Sequence, residues 1–318
     1  MMQPPKFVGN TVKLDTLSPE QLALQLRCPG GLALQVGPFI IRIHSMLEKV
    51  VDGVRLHYAD FPLAPEEGFS DFHVRVAQPG YLRRWIRPQV QFYIDGNIPF
   101  KPLPLVQAFP MFEWGFNWCI SNYDNQHLII HAAVVEKDGC AVIMPAPPGS
   151  GKSTLCAGLV NRGWRLLSDE LTLVSRAGGH IVPLPRPVNL KNASIEVIRN
   201  FAPQAVIGQE AKDTAKGTVA HMRPPVDSVR RADEKAMPAW VVFPRYEAGA
   251  AACLEVYSRA RTLVELAENS FNYSVLGLEG FRLLGQVVDA CDCYRFSYSD
   301  LDDAVDVFNG LSLLSTRP

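Results

Sequence analysis

The chain has 318 residues, of which 47% are hydrophobic, enough for a large buried core and for two domains. Lysine and arginine number 31 against 32 aspartates and glutamates, a net charge of −1, which removes any general electrostatic case for nucleic acid or a membrane surface as partner. No apolar run approaches the roughly 18 residues that span a bilayer, and the opening MMQPPKFVGN lacks the apolar core of a secretion signal, so a cytoplasmic protein is expected.

Residues 1–125 read as a separate α+β layer. Leu32 to Ile43 predicts two strands around a Gly-Pro turn, and Ser45 to Tyr58 a helix with Ser45 as its N-cap. Asp71 to Ala77 alternates as a strand does. Val90–Ile94 and Ile98–Leu103 flank Asp95-Gly96-Asn97, a hairpin signal. From Leu105 to Tyr123, Phe109, Phe112, Phe116 and Ile120 recur at helical spacing, which predicts a helix joining the two halves; Trp114 and Trp118 lie on a neighbouring face.

Residues 126–318 hold the chemistry. His127 to Val135 reads as a strand turning through Glu136-Lys137-Asp138-Gly139 into Cys140–Met144, which places His131 opposite Met144 and beside the loop that follows. That loop, Pro145 to Gly151, is rich in proline and glycine, and a helix is predicted from Lys152 or Ser153, with Leu155, Leu159 and Val160 on its apolar face. Ala146-Pro147-Pro148-Gly149-Ser150-Gly151-Lys152-Ser153-Thr154 meets the motif G-x-x-x-x-G-K-[ST] except at its first position, where Ala146 replaces glycine. Such a loop points backbone N–H groups at phosphate oxygens, and the helix N-terminus adds its positive end. Lys152 is then the β/γ-phosphate residue and Ser153 the Mg²⁺ hydroxyl. An ordinary glycine-rich turn is the bland alternative, and a dinucleotide fingerprint would need glycine where Thr154 stands.

A helix over 153–162 runs about 15 Å from the loop, and the strand Trp164 to Asp169 returns about 20 Å, so Asp169 and Glu170 arrive at the phosphate end of the sheet. An acid there can hold Mg²⁺ or accept a proton from an attacking hydroxyl. Further on, Arg186 and Lys191 flank a helix capped by Asn192 and could face a phosphate. Asp213 to Asp227, with Lys216, His221 and Arg223, has the composition of a mobile loop able to close over a nucleotide. Strands are expected at 171–175, 180–184, 240–243, 254–257 and 294–297, and helices over 262–269, 274–290 and 300–309, the last with Ser299 as cap. The seven cysteines are an odd number scattered through apolar stretches, as reduced buried thiols are; Cys291 and Cys293 read as core.

His131-Ala-Ala-Val-Val, the loop APPGSGKST and Arg162-Gly-Trp-Arg-Leu-Leu-Ser-Asp169-Glu170, in this order, resemble the catalytic core of the HPr kinase/phosphorylase family over residues 127–175. Beyond that core, PLPRPVNLKNASIEVIRNFAP, DTAKGTVAHMRPP, FPRY, FNY and YSDLD resemble the group called HprK-related kinase A along the whole chain. The resemblance implies an α/β fold of the P-loop type shared by HPr kinase and PEP carboxykinase, with a twisted mixed sheet, ATP and Mg²⁺ as cofactors, and a homo-oligomer. It matches His131 to the family's active-site histidine, Lys152 and Ser153 to its phosphate and Mg²⁺ residues, and Asp169 to its proton acceptor. Ala132 stands where the family has glycine, Glu170 where it has a second aspartate, and no counterpart of its E-I-R-G-L-G segment is found, so neither HPr as acceptor nor the phosphorylase activity is carried over. The reading is an ATP-dependent kinase with catalytic Asp169, His131 and Lys152, metal residues Ser153, Asp169 and Glu170, and a hydroxyl acceptor, serine free or in a protein. The alternative is an ATP-binding regulator or assembly factor without phosphotransfer.

Overall fold

The computed structural model describes residues 12–80 and 87–314, a mixed α/β arrangement with several sheets. The opening segment MMQPPKFVGN, read above for its lack of an apolar leader, lies outside the described residues.

The first sheet uses the order β1-β2-β3-β4-β5. After α1 (Pro19–Arg27) come β1 (Leu32–Val36), β2 (Phe39–Ser45), α2 (Glu48–His57), β3 (Phe72–Ala77), β4 (Gln89–Ile94) and β5 (Leu103–Pro104). A true capping box starts α1, with Ser18 Oγ accepting from Gln21 N–H at 3.2 Å and the Gln21 side chain accepting from Ser18 N–H at 2.8 Å. Ser45 does not cap α2. It is still in the β2–β3 ladder opposite Val76, its hydroxyl donating to the Val76 carbonyl at 2.8 Å, so the helix waits until Glu48. The Asp95-Gly96 turn forms as predicted, with φ of 47° and 82°. Its second arm is shorter than expected: after the Ile94–Asn97 bridge at the turn, pairing with β4 resumes only at Leu103 and Pro104, since Pro99 and Pro102 bring no N–H to a ladder. The predicted helix is α3 (Ala108–Tyr123), and Phe109, Phe112, Phe116 and Ile120 are all buried.

The second half runs β6 (His127–Ile130), β7 (Ala132–Lys137), β8 (Cys140–Pro145), α4 (Lys152–Val160), β9 (Arg165–Ser168), β10 (Thr172–Ser175), β11 (Ile181–Val182), β12 (Val188–Lys191) and α5 (Ala193–Phe201). It continues through β13 (Ala211–Thr214), β14 (Gly217–Met222), α6 (Val226–Arg230), β15 (Met237–Tyr246), β16 (Cys253–Val256), α7 (Arg259–Glu268), α8 (Tyr273–Leu276), α9 (Leu278–Ala290), β17 (Asp292–Tyr298) and α10 (Leu301–Leu314). The central sheet has the order β16-β17-β15-β8-β7-β9. β8, β15 and β17 are parallel, and β7 is antiparallel to both of its neighbours, β8 and β9. β8 and β9 therefore point the same way with β7 wedged between them, so the loop after β8 and the acids after β9 emerge at one sheet edge. Two apolar layers cover this sheet. Leu155 and Leu159 of α4 pack with Phe308 of α10 on one face; Leu283, Leu284 and Val287 of α9 pack with Leu266 of α7, Cys291 and Cys293 on the other.

Several local expectations are corrected. The turn into β8 closes on Asp138-Gly139, with φ of 53° and 81°, so Ala133 lies opposite Met144, and His131 falls just before the strand, beyond Ala132↔Pro145. Residues 213–227 form a β13–β14 hairpin and α6 rather than a mobile loop, because β14 pairs on both sides. Asn192 precedes α5, but its Oδ1 accepts from Thr218 N–H at 3.1 Å and caps nothing in the helix. Gly277, at φ 56°, splits the expected helix over 274–290 into α8 and α9. Asp300, not Ser299, caps α10: its Oδ1 accepts from the N–H groups of Asp302 at 2.8 Å and Asp303 at 3.1 Å. β16 is an exposed edge strand, with Val256 86% accessible.

Candidate functional site

The loop between β8 and α4 carries two glycines at φ 88°, Gly149 and Gly151, a backbone conformation that L side chains rarely adopt. At Gly151 the packing is also closed to any side chain, since a Cβ there would lie 2.5 Å from the Tyr298 hydroxyl and 2.9 Å from Tyr246 Cβ. Tyr298 Oη donates to the Gly151 carbonyl at 2.9 Å, and Tyr246 N–H donates to the Ser150 carbonyl at 2.8 Å, so β15 and β17 hold the loop from one side. Ala146 is buried at the strand end, whereas Pro147, Pro148 and Gly149 are exposed. Thr154 follows in the first turn of α4, where N–H groups have no intrahelical partner. Beside the loop opens a cleft of about 660 Å³, lined by Ala146, Gly149 and Ser150 together with Phe243, Arg245 and Arg295.

Lys152 opens α4 and is buried, 9% exposed. Burial pulls its ammonium below the ordinary lysine value, more than the fields of Asp169 and Glu170 restore. Asp169 follows β9 and is 4% exposed. Its Oδ2 accepts from Asn189 N–H at 3.0 Å, and Oδ1 has no partner among the described residues; the Asn189 N–H and the Ser153 hydroxyl both favour the ionised form. Burial pushes its pKa up, the Glu170 charge adds to this, and Lys152 only partly offsets them. Glu170 is shifted the other way. Burial alone would raise it, but Lys216, Lys191 and Lys152 together hold it below the usual carboxylate range. Both its oxygens accept amide N–H groups, Oε2 from Asn117 at 2.6 Å and Oε1 from Asn189 at 3.2 Å.

His131 is half-buried beside this group, with its ring 5.7 Å from that of Phe271. Burial first, and then the Lys152 charge, bring its pKa down to about 4, so the imidazole is neutral at pH 7. The residues expected from the sequence to share one site, Lys152, Ser153, Asp169, Glu170 and His131, are thus within one another's field at one sheet edge. Lys191 and Lys216 join them, Lys216 with its ammonium 5.2 Å from the centre of the Trp114 ring. Two expected cations do not. Arg223 pairs with Asp60, and Arg186 is buried against Glu113, donating from Nη2 to Oε2 at 2.6 Å and to the carbonyl at 2.9 Å. His221 is buried between the rings of Phe109 and His57, and it reaches the site only through the wall of a cavity.

Sequence reasoning missed Glu113, Trp114, Asn117 and Asn189. They line that cavity with Asp169 and Glu170, and Arg186 ties them together by donating to Asn117 Oδ1 as well as to Glu113. Trp114 stood out only as an aromatic on a second helix face, and the three polar residues carry no local motif.

The donor set fits a hard divalent cation: a hydroxyl and a buried carboxylate with one uncommitted oxygen at the mouth of a phosphate-type loop. Of the three expected metal residues, Ser153 and Asp169 supply that set, and Glu170 adds negative charge with its oxygens held by amides.

The family described as SynChlorMet cassette protein ScmC matches residues 119–202, which include the loop and both acids. No curated protein matches the chain. Among solved structures the chain is similar to the Hpr(Ser) kinase/phosphatase from Coxiella burnetii, at 10% identity and a TM-score of 0.24, over 58% of this chain and 97% of that one.

Proposed function

We propose that the protein is an ATP-dependent kinase of P-loop type that moves the γ-phosphoryl group to a hydroxyl acceptor. One observation carries the reading: Asp169, buried and with Oδ1 uncommitted, stands beside Lys152 and Ser153 where a glycine loop becomes a helix. The loop from Ala146 to Thr154 and the N-terminus of α4 cradle the phosphates, and the adjacent cleft receives the nucleoside. Lys152 neutralises charge on the transferring group. Mg²⁺, held by Ser153 and Asp169, supplies further charge neutralisation when bound. Asp169, its pKa raised by burial, accepts the proton as the acceptor oxygen bonds to phosphorus and the bond to the ADP oxygen breaks. His131 is neutral and orients the acceptor hydroxyl through a ring nitrogen. Serine, free or within a protein, is the acceptor we favour, and the cytoplasm the compartment.

Purified protein incubated with Mg²⁺ and γ-labelled ATP, alone, with L-serine, and with lysate of its host, tests this. Label is expected to reach serine or a lysate component, and Lys152→Ala is expected to lower the transfer by about 100-fold or more. Equal transfer in Lys152→Ala refutes the assignment. Tight ATP binding with no transfer replaces the kinase with a nucleotide-dependent regulator.

A further inference from the structure

Two lysines flank Glu170 from different elements without pairing with it. Lys191 stands two residues after Asn189 on β12, so the two-residue period of a strand puts it on the side from which the Asn189 amide donates to Glu170 Oε1 at 3.2 Å. Lys216 lies in the turn from β13 to β14 and holds its ammonium 5.2 Å from the centre of the Trp114 ring. Asn117, three residues on from Trp114 along α3, donates to Glu170 Oε2 at 2.6 Å. The backbone ties the two lysines together through the residues that follow them. Asn192 N–H donates to the Thr218 carbonyl at 2.8 Å, and Gly217, at φ 82°, approaches Asn192 so closely that a Cβ would lie 2.2 Å from Asn192 Oδ1. Among the described residues neither ammonium forms an ion pair or a hydrogen bond. Both are accessible, Lys191 half-buried and Lys216 exposed.

The local charges do not cancel. Against the two acids, Asp169 and Glu170, stand three lysines, Lys152, Lys191 and Lys216. Glu113 is matched by Arg186 and Asp60 by Arg223, and His131 is neutral at pH 7. Three against two leaves one positive charge over, even with both acids ionised. A bound nucleotide does not use it. Its phosphates take the loop N–H groups, the N-terminus of α4 and Lys152, and the cleft beside the loop is walled by residues of β15 and β17. Lys191 and Lys216 come instead from β12 and the β13–β14 turn, the second of them against α3.

We propose that Lys191 and Lys216 form an anion subsite for the phosphoryl acceptor, which is therefore a small alcohol bearing a carboxylate or phosphate close to its hydroxyl. This rests on the kinase reading given above and narrows its acceptor. In free serine the carboxylate is attached to the carbon next to the hydroxymethyl group, whereas a seryl residue within a chain has neutral amides in its place and offers the lysines nothing to bind. Both lysines act as specificity residues: they hold the acceptor's anionic group by charge-assisted hydrogen bonds and take no part in the transfer itself.

The test measures binding, not phosphotransfer, and uses the full chain with Mg²⁺ and ADP present. Calorimetric titrations compare L-serine with L-serinamide, which lacks the carboxylate, and sn-glycerol 3-phosphate with glycerol, which lacks the phosphate. In the wild type the anionic member of at least one pair is expected to bind about 10-fold or more tightly than its partner, and the pair that shows this identifies the anion. The preference is expected to vanish when Lys191→Gln and Lys216→Gln are combined and to persist when both are changed to Arg. Equal affinities within both pairs, or no binding of either anionic probe, overturn the proposal without recourse to any variant. A preference that survives the double Gln variant overturns it as well. The label-transfer assay is scored separately. Anion-selective binding with no transfer to any acceptor removes the kinase and leaves the anion site, whereas transfer with equal affinities within both pairs keeps the kinase and removes the anion site.

Discussion

Two adjacent carboxylates, Asp169 and Glu170, are driven in opposite directions by their surroundings. Asp169 is buried next to a like charge and moves toward protonation, which suits a group that must accept a proton near neutral pH. Glu170 remains ionised because Lys216, Lys191 and Lys152 outweigh its desolvation. In the proposed kinase the two acids divide the work of base and counter-charge. Elsewhere the same physics gives a measurable pH dependence. His57 is 2% exposed, and burial, followed by the charge of Arg223, brings its pKa down to about 3. Between about pH 3 and 6.5 the unfolded chain binds a proton there that the folded chain does not, so this residue's contribution to stability declines as pH falls below 6.5. In His57→Gln the dependence of the unfolding free energy on pH is expected to flatten in that window by up to about 1.4 kcal/mol per pH unit; urea titrations at several pH values measure it, and parallel curves for the two proteins would contradict it. Lys152, Ser153 and Asp169 were legible in the sequence because a loop motif and the length of one helix and one strand place them. Asn117 and Asn189 were not, because each is defined by a partner far away in the chain, 53 residues from Asn117 to Glu170 and 20 from Asn189 to Asp169.

Elements decide how rigid the loop is. Gly149 and Gly151 have the same φ of 88°, but a Cβ on Gly149 meets nothing within 4 Å among the described residues, whereas one on Gly151 collides with Tyr298 and Tyr246. Gly149→Ala then carries only the backbone cost, on the order of 1–2 kcal/mol, while Gly151→Ala must also push the loop off β15 and β17. We expect Gly151→Ala to lower the melting temperature further than Gly149→Ala and to lose nucleotide binding; thermal melts and ATP titrations of the two variants check this, and equal losses would show that β15 and β17 do not brace the loop. The helix α3 shows what a pattern can and cannot convey. Its stripe of Phe109, Phe112 and Phe116 predicted a buried face, which is correct, and the joining role followed from that face alone. The neighbouring face carries Glu113, Trp114 and Asn117, and only the approach of Arg186 and Glu170 makes it a wall of the candidate site.

Across the whole molecule the candidate site is wired to the first sheet's layer. Tyr58 donates to Glu113 Oε1 at 2.7 Å, Glu113 accepts from Arg186, Arg186 donates to Asn117, and Asn117 donates to Glu170. Each link in this buried chain satisfies the next, so removing one partner leaves another unpaired. The apolar core of the N-terminal layer also takes in Ile129, Leu171, Leu173 and Leu184 from the second half. A chain cut to residues 126–318 would expose those side chains and leave Arg186 without Glu113. It is expected to lack the cooperative thermal transition of the full protein, as followed by calorimetry; a sharp transition in the fragment would show that the second half folds alone.

By itself the sequence determined the strand, loop and helix around Lys152, the return of Asp169 to the same sheet edge, and the buried face of α3, because these depend on turn residues, side-chain period and the rise per residue. The tertiary structure decided the rest. It wedged β7 between β8 and β9, turned residues 211–222 into a paired hairpin, gave Arg186 to Glu113 and Arg223 to Asp60, and brought α3 against Asp169. Those outcomes depend on which segments distant in the chain bury one another's apolar surface and satisfy one another's polar groups, and no local spacing encodes that.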